Sequence, residues 1–200
     1  MKNFVVFTGA GISAESGLGT FRGSDGMWEK YRIEDVCTHE AWLRNPALCV
    51  EFYNMRRRDA LAAVPNAAHR AITLLQEHFP QTRIITQNID DLHERSGSQN
   101  VVHLHGEITK LRSENDELAT VAIKGWEQKY GDRHPDGSLL RPHIVFFGEG
   151  VPYFPAACEI VEKADMFIVI GTSLKVYPAA SLLQYATHDC EIIVIDPGVT

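Results

Sequence analysis

The feature that most constrains the fold is a glycine-rich turn that follows a short apolar run near the start of the chain. Residues 4–7 read as a buried strand, and residues 8–11, Thr-Gly-Ala-Gly, interrupt it with residues that can turn tightly. Ser13, with Ser16 three residues later, is predicted to cap a helix whose first N–H groups face an anion. Because the two glycines carry no side chain, a diphosphate could approach their backbone closely, as in dinucleotide-binding folds.

The glycine pattern alone leaves an ordinary strand-to-helix turn open, since such connections are common in α/β folds. It also matches a hydride-transferring dinucleotide enzyme poorly. The acidic residue expected about 20 positions further on would be Glu29 or Glu34, and neither ends a second apolar strand. Residues 17–28 combine four glycines with aromatic and cationic side chains, which indicates a loop that closes over a ligand.

Composition bounds the class of protein. The chain has 200 residues, of which 44% are hydrophobic and 22% charged, values typical of one globular domain with a proper core. A net charge of -7 argues against non-specific binding to nucleic acid. No apolar run approaches the roughly 18 residues that span a bilayer, and the first strand begins at once, so we expect no signal peptide and a cytoplasmic location. The oligomeric state is left open.

The four cysteines, at positions 37, 49, 158 and 190, are scattered and form no Cys-x-x-Cys pair. In a cytoplasmic chain this pattern predicts reduced, mostly buried thiols. It gives no cysteine-based zinc site, and we predict no bound metal.

Residues 34–79 are predicted to be helical with breaks, one helix starting at Asn45-Pro46 and another at Pro65-Asn66. On the first of these, Tyr53 and Arg56 are one turn apart, where a hydroxyl and a guanidinium could hold a carboxylate together. The run of arginines at 56–58 equally fits a solvated basic face. We expect its other two members to point away from any pocket.

Polar residues follow two further predicted strands. Residues 83–86 lead into Gln87-Asn88-Ile89-Asp90, and residues 101–104 lead into His105. The ends of parallel strands form the crevice in which open α/β sheets bind ligands, and a histidine there can act as a general base near neutral pH. The alternatives are that Asn88 and Asp90 cap the next helix and that the histidine is structural.

The second half of the chain is predicted to contain a small polar insertion, residues 107–142, before the main sheet resumes at residues 144–147. Residues 165–170 form another buried strand, and its small-residue end at 171–173 predicts a second phosphate or ribose contact. A helix over about 179–187 and a last strand over 191–195 complete the sheet.

Taken together, the motifs resemble the sirtuin family of NAD-dependent protein lysine deacylases. The matching blocks lie in family order at residues 9–13, 20–22, 86–90, 104–106, 147–149 and 171–173. The resemblance implies an α/β fold: a Rossmann-like parallel sheet with helices on both faces and a small inserted domain. It implies that residues 1–200 form one catalytic domain, in which the insertion at residues 107–142 and the helical segment 34–79 together make up the small domain. It also implies that NAD is consumed as a co-substrate.

The same resemblance implies roles for individual residues. The NAD contacts would be Gly9, Ala10, Gly11, Ser13, Glu15, Thr20, Phe21, Arg22, Trp28, Gln87, Asn88, Ile89, Asp90, Gly171, Thr172, Ser173 and Asp196. The substrate contacts would be Tyr53, Arg56, Val145, Phe147, Gly148, Glu149 and Tyr177. The acyl-lysine oxygen would attack the ribose C1′ and release nicotinamide. His105 would then take a proton from the ribose hydroxyls, with Asn88 and Asp90 completing the catalytic set.

The pair Tyr53 and Arg56 further resembles the sirtuin class that prefers succinyl and malonyl groups on protein lysines. An ADP-ribosyltransferase using the same crevice and a non-catalytic sensor of NAD or ADP-ribose are the alternatives. Two departures from the family pattern stand out. Residues 107–142 lack the four usual zinc cysteines, and Asp196 stands where asparagine is common, so recognition of the adenine ribose is expected to differ.

Overall fold

The computed structural model describes residues 2–19 and 31–197. These ranges contain a parallel sheet, a smaller antiparallel sheet and helices on both faces of the larger one. The strands are β1 (Phe4–Thr8), β2 (Arg83–Thr86), β3 (Val101–His103), β4 (Gly106–Ser113), β5 (Thr120–Ala122), β6 (Leu140–Ile144), β7 (Met166–Ile170) and β8 (Glu191–Ile195). The α-helices are α1 (Ile33–Val36), α2 (His39–Arg44), α3 (Pro46–Ala62), α4 (Ala67–His78), α5 (Leu92–Arg95) and α6 (Phe154–Val161), with 3-10 helices at Ala10–Ser16 and Ala179–Tyr185.

The main sheet has five parallel strands in the order β3-β2-β1-β7-β8. Side chains of the central strand β1 alternate between its faces. Phe7 packs with α6 and the second 3-10 helix on one face, while Val6 packs with Ile72 of α4 on the other. A strand buried on both faces reads as a continuous apolar run, which is how residues 4–7 could be identified from sequence. The predicted α/β class with helices on both faces is confirmed.

The carboxyl ends of the three central strands are tied together by backbone hydrogen bonds. The Gln87 N–H donates to the Thr8 carbonyl over 2.9 Å, and the Gly9 N–H donates to the Ile170 carbonyl over 3.1 Å. The loops that follow β1, β2 and β7 therefore meet at one edge of the sheet, which is where such folds bind ligands.

The small sheet is antiparallel, with strand order β5-β4-β6. The prediction that residues 144–147 return to the main sheet is wrong, because Ile144 pairs with Gly106 at the end of β6. The apolar character of this segment comes from burial against helices instead: Ile144 and Phe146 pack with Phe52 and Trp42 in a separate hydrophobic cluster. A short apolar run does not say which sheet, or which neighbour, buries it.

The two long helices, α3 and α4, begin at the positions that Asn45 and Asn66 predict as N-caps. The Asn45 side chain accepts a hydrogen bond from the Leu48 N–H, with Pro46 in the first turn. The Asn66 side chain accepts bonds from the N–H groups of Ala68 and His69. These caps satisfy N–H groups that have no partner within the helix. In the described ranges we find no helix that is both long and apolar enough to cross a membrane.

The middle arginine of the basic run, Arg57, is fully buried. Its Nε donates to the Ile108 carbonyl over 2.6 Å, and its Nη1 donates to Asn54 Oδ1 and to the Trp126 carbonyl, each over 2.8 Å. The interpretation of residues 56–58 as a solvated basic face is therefore wrong at this position. Arg57 joins helix α3 to strand β4 and to the long loop between β5 and β6.

Candidate active site

The main cleft opens at the carboxyl edge of the parallel sheet and has a volume of about 610 Å³. The predicted site residues that line it are Gly9, Ala10, Gly11, Ser13, Tyr53, Arg56, Gln87, Asn88, Ile89, Asp90, His105, Val145, Phe147, Gly148, Glu149, Gly171, Thr172, Ser173, Tyr177 and Asp196. Glu15 is exposed on the first 3-10 helix and is absent from this described lining. Thr20, Phe21, Arg22 and Trp28 lie outside the described residues.

The glycine-rich turn owes its small residues to a neighbouring turn of the protein. A Cβ on Gly9 would lie 2.7 Å from the Thr172 Cβ, and one on Gly11 would lie 2.8 Å from the Gly171 carbonyl oxygen. The Gly11 N–H also donates to that carbonyl over 2.8 Å. Close packing of two turns therefore already requires both glycines, a reason that the sequence did not suggest.

Ser13 does not cap a helix as predicted. It lies inside the 3-10 helix, whose N-cap is Gly9, and its hydroxyl donates to Asp90 Oδ2 over 3.0 Å. The Asn88 side-chain amide in turn donates to Ser13 Oγ over 3.1 Å. Ser13 is buried because it lies against the loop after β2, and it links the two polar residues predicted at that strand end.

Asp90 serves two purposes. Its second oxygen accepts the N–H of Leu92, the first residue of α5, over 3.1 Å, but the N-cap residue of that helix is Asp91 and not Asp90. Burial raises the pKa of Asp90, against the opposing effect of bonds from Leu92 and Ser13. The side chain therefore holds the start of α5 through the Leu92 N–H and, from the same position, faces the cleft.

The backbone of Asn88 is held from two sides. Its N–H donates to Thr86 Oγ1 over 3.0 Å, and its carbonyl lies 2.9 Å from His103 Nδ1. His103 Nε2 is 2.8 Å from Glu94 Oε1. Burial disfavours the charged ring, yet Glu94 and the Asn88 carbonyl outweigh it and raise the pKa of His103. Neither His103 nor Glu94 is among the residues predicted from the sequence, although His103, two positions before His105 on the same predicted strand, was a usable signal.

One backbone contact orients the ring of His105. Its Nδ1 lies 3.0 Å from the Gln87 carbonyl oxygen. Because a carbonyl only accepts, Nδ1 carries the proton and Nε2 keeps its lone pair. Burial lowers the pKa of His105, with a smaller opposing effect from the bond to Gln87. The ring is therefore neutral near pH 7, with Nε2 able to take a proton.

The loop at residues 146–149 is fixed by its glutamate. Arg141 contacts the Glu149 carboxylate with two nitrogens, at 2.6 and 3.1 Å, and the Phe146 N–H donates to it over 2.8 Å. His39 Nδ1 lies 3.0 Å from the same carboxylate. Glu149 lines the cleft, but these contacts direct its oxygens into the protein, so it holds the loop that carries Phe147 and Gly148.

Helix α3 brings Tyr53 and Arg56 to the same cleft. Tyr53 is 4% exposed, and its hydroxyl contacts Cys37 Sγ at 3.6 Å. Burial raises the pKa of Tyr53 well above its ordinary value, and the positive charge of Arg56 opposes that rise. The phenol therefore stays protonated, and the guanidinium is within electrostatic reach of it.

A model of the Sir2 family matches residues 9–178. The chain is 52% identical over 202 residues to an NAD-dependent protein deacylase of Bacteroides thetaiotaomicron, covering 98% of this chain and 86% of that one. It is 50% identical over 199 residues to an NAD-dependent protein deacylase of Helicobacter pylori, covering 98% and 85%.

Solved structures of Sir2 homologues share this fold. A crystal structure of a Sir2 homologue in complex with NAD superposes with a TM-score of 0.91 at 40% identity, covering 100% of this chain and 79% of that chain. Identity at this level over nearly the whole chain, together with the family match, shows common descent as well as common fold. The chain belongs to the Sir2 family of enzymes.

Proposed function

We propose that this protein is an NAD-dependent protein lysine deacylase that prefers acidic acyl groups such as succinyl and malonyl. The observation that carries the proposal is that one cleft contains both a histidine with a free Nε2 lone pair, His105, and the Tyr53–Arg56 pair. The first supplies general-base chemistry. The second supplies recognition of a carboxylate.

The residues around His105 suit a reaction at the nicotinamide ribose of NAD. Ser13 holds the Asn88 amide and the Asp90 carboxylate together, so both can orient the sugar and the nicotinamide. His105 Nε2 takes a proton from a ribose hydroxyl, which lets that oxygen attack the acyl group. The relatives named NAD-dependent protein deacylases support this assignment. A positioned base contributes about 10²- to 10⁴-fold to rate.

Acyl selectivity follows from the charge of Arg56. A succinyl or malonyl carboxylate offers the guanidinium an anionic acceptor inside the cleft, whereas an acetyl methyl group offers none. Hydrogen bonds to charged groups contribute about 1.5–3 kcal/mol each. At about 1.4 kcal/mol per factor of ten, one net bond gives roughly tenfold or more in kcat/KM over acetyl-lysine.

The test is Arg56→Met, assayed on matched succinyl- and acetyl-lysine peptides. We expect KM for the succinyl peptide to rise and the preference to disappear, while deacetylation is spared because His105 is untouched. Arg58→Met is the matched control: Arg58 is exposed on the same helix and stacks over Trp126 at 5.9 Å. An unchanged succinyl-to-acetyl ratio in Arg56→Met, or a wild-type enzyme that favours acetyl-lysine, contradicts the proposal.

A further inference from the structure

A line of buried polar side chains runs beneath the cleft towards Asn88, separate from the residues that line it. His93 Nε2 lies 3.0 Å from Thr8 Oγ1. Thr8 Oγ1 donates to Thr86 Oγ1 over 2.8 Å, and Thr86 Oγ1 accepts the Asn88 N–H over 3.0 Å. His93, Thr8 and Thr86 are fully buried. The line therefore connects helix α5 to the backbone of Asn88 through the ends of two strands.

The hydrogen-bond directions fix the tautomer of His93. Because the Thr8 hydroxyl gives its only proton to Thr86, it must accept from His93, so His93 carries its proton on Nε2. His93 Nδ1 is then a bare acceptor, and it is buried without a hydrogen-bond partner among the described residues. Burial lowers the pKa of His93 to about 3, so the ring stays neutral.

The neighbouring His69 has a buried donor that lacks an acceptor, the complement of the unpaired acceptor on His93. The Asn66 N–H donates to His69 Nδ1 over 3.3 Å, so His69 carries its proton on Nε2. That nitrogen is also buried and lacks a partner in the described part of the chain. The His69 and His93 rings meet edge to face with centroids 5.1 Å apart. A donor without an acceptor therefore lies beside an acceptor without a donor, and unmade buried bonds are costly.

We propose that His93 is a positioning residue for Asn88: His69 supplies the missing donor to His93 through one buried water, and His93 orders Thr8 and Thr86 beneath Asn88. Without the His93 ring, the Thr8 hydroxyl loses its donor and can turn away from Thr86. Thr86 then no longer fixes the Asn88 N–H. The inference rests on the proposed role of Asn88 in orienting the nicotinamide ribose.

The experiment compares His93→Leu with His93→Gln, because a glutamine amide can reach the Nε2 position and donate to Thr8. For His93→Leu we expect about tenfold lower kcat for nicotinamide release, the size of one lost hydrogen bond, with KM for the acyl peptide unchanged. His93→Gln should recover most of that rate. Thr8→Val, which removes the hydroxyl at nearly constant shape, gives the same result if His93→Leu does not fold.

Ile72→Ala is the control for loss of stability alone. Ile72 is buried on α4 against the same face of the sheet, and its truncation should lower the melting temperature without changing kcat at a temperature where the protein is folded. A wild-type kcat in His93→Leu and Thr8→Val, or an equal fall in His93→Leu and His93→Gln, overturns the inference.

Asn88→Ala separates this inference from the proposed function. If Asn88→Ala is inactive while His93→Leu keeps the wild-type kcat, only the positioning role fails. If Asn88→Ala itself keeps the wild-type kcat, the assigned role of Asn88 fails, and the positioning role of His93 fails with it.

Discussion

Replacing Arg57 by methionine tests how the small sheet is attached to helix α3. The substitution removes three donated hydrogen bonds, to Ile108, Asn54 and Trp126. Bonds from a charged donor contribute about 1.5–3 kcal/mol each, so the three together contribute about 5–9 kcal/mol before any cost is counted.

The cost is that of burying the cation. Burial lowers the pKa of Arg57 to about 10, and at about 1.36 kcal/mol per pKa unit the charged form is held at a cost of about 3 kcal/mol. Methionine removes that cost and fills much of the space, and the loosened loop regains water. We therefore expect Arg57→Met to lower the free energy of unfolding by about 2–4 kcal/mol.

Urea denaturation followed by far-UV circular dichroism measures this loss. The matched control is Arg58→Met, the same substitution at the adjacent, exposed position of the same helix, which should cost about 0.5–1 kcal/mol through its contact with the Trp126 ring. Hydrogen exchange should rise in residues 123–130 of Arg57→Met only. Equal effects of the two substitutions refute the reasoning, since Arg57 would then be no more than another surface arginine.

Three further outcomes are expected. His105→Ala should retain folding and NAD binding while turnover falls by about 10²-fold or more. As the pH is lowered, wild-type kcat/KM should begin to fall only below the pH at which an ordinary histidine becomes protonated. The reason is that burial lowers the pKa of His105 and the neutral ring is the active form. Wild-type turnover in the variant, or an acid limb above pH 7, contradicts the role of His105. The purified protein should contain no stoichiometric zinc and should keep its melting temperature in chelator; one tightly held equivalent by elemental analysis contradicts this prediction.

The sequence predicts the parallel sheet well because its inner strands β1 and β2 are largely buried on both faces and end in polar or glycine-rich turns. It fails at residues 144–147, where an apolar run packs against helices and not in the main sheet. Local patterns carry no information on which distant element covers a segment. Local patterns also do not predict which residues pair across neighbouring strands, such as Thr8 with Thr86.

The site follows the same division. Strand-end positions are enough to predict that Asn88, Asp90 and His105 lie together at the cleft. The partners that orient them, such as Ser13 against Asp90 and His103 against the Asn88 carbonyl, depend on contacts between segments far apart in the chain. Arg57 shows most clearly what the sequence cannot predict. Three adjacent residues are all arginine, yet one is half-buried, the next is buried and the third is exposed.

Mass spectrometry of one incubation tests the central claim most directly. The wild-type protein is mixed with NAD and a succinyl-lysine peptide, and the small-molecule and peptide products are identified together. The account predicts nicotinamide, 2′-O-succinyl-ADP-ribose and a peptide with free lysine in equal amounts. ADP-ribose attached to protein, or NAD left intact while bound, contradicts it and supports a transferase or a sensor instead.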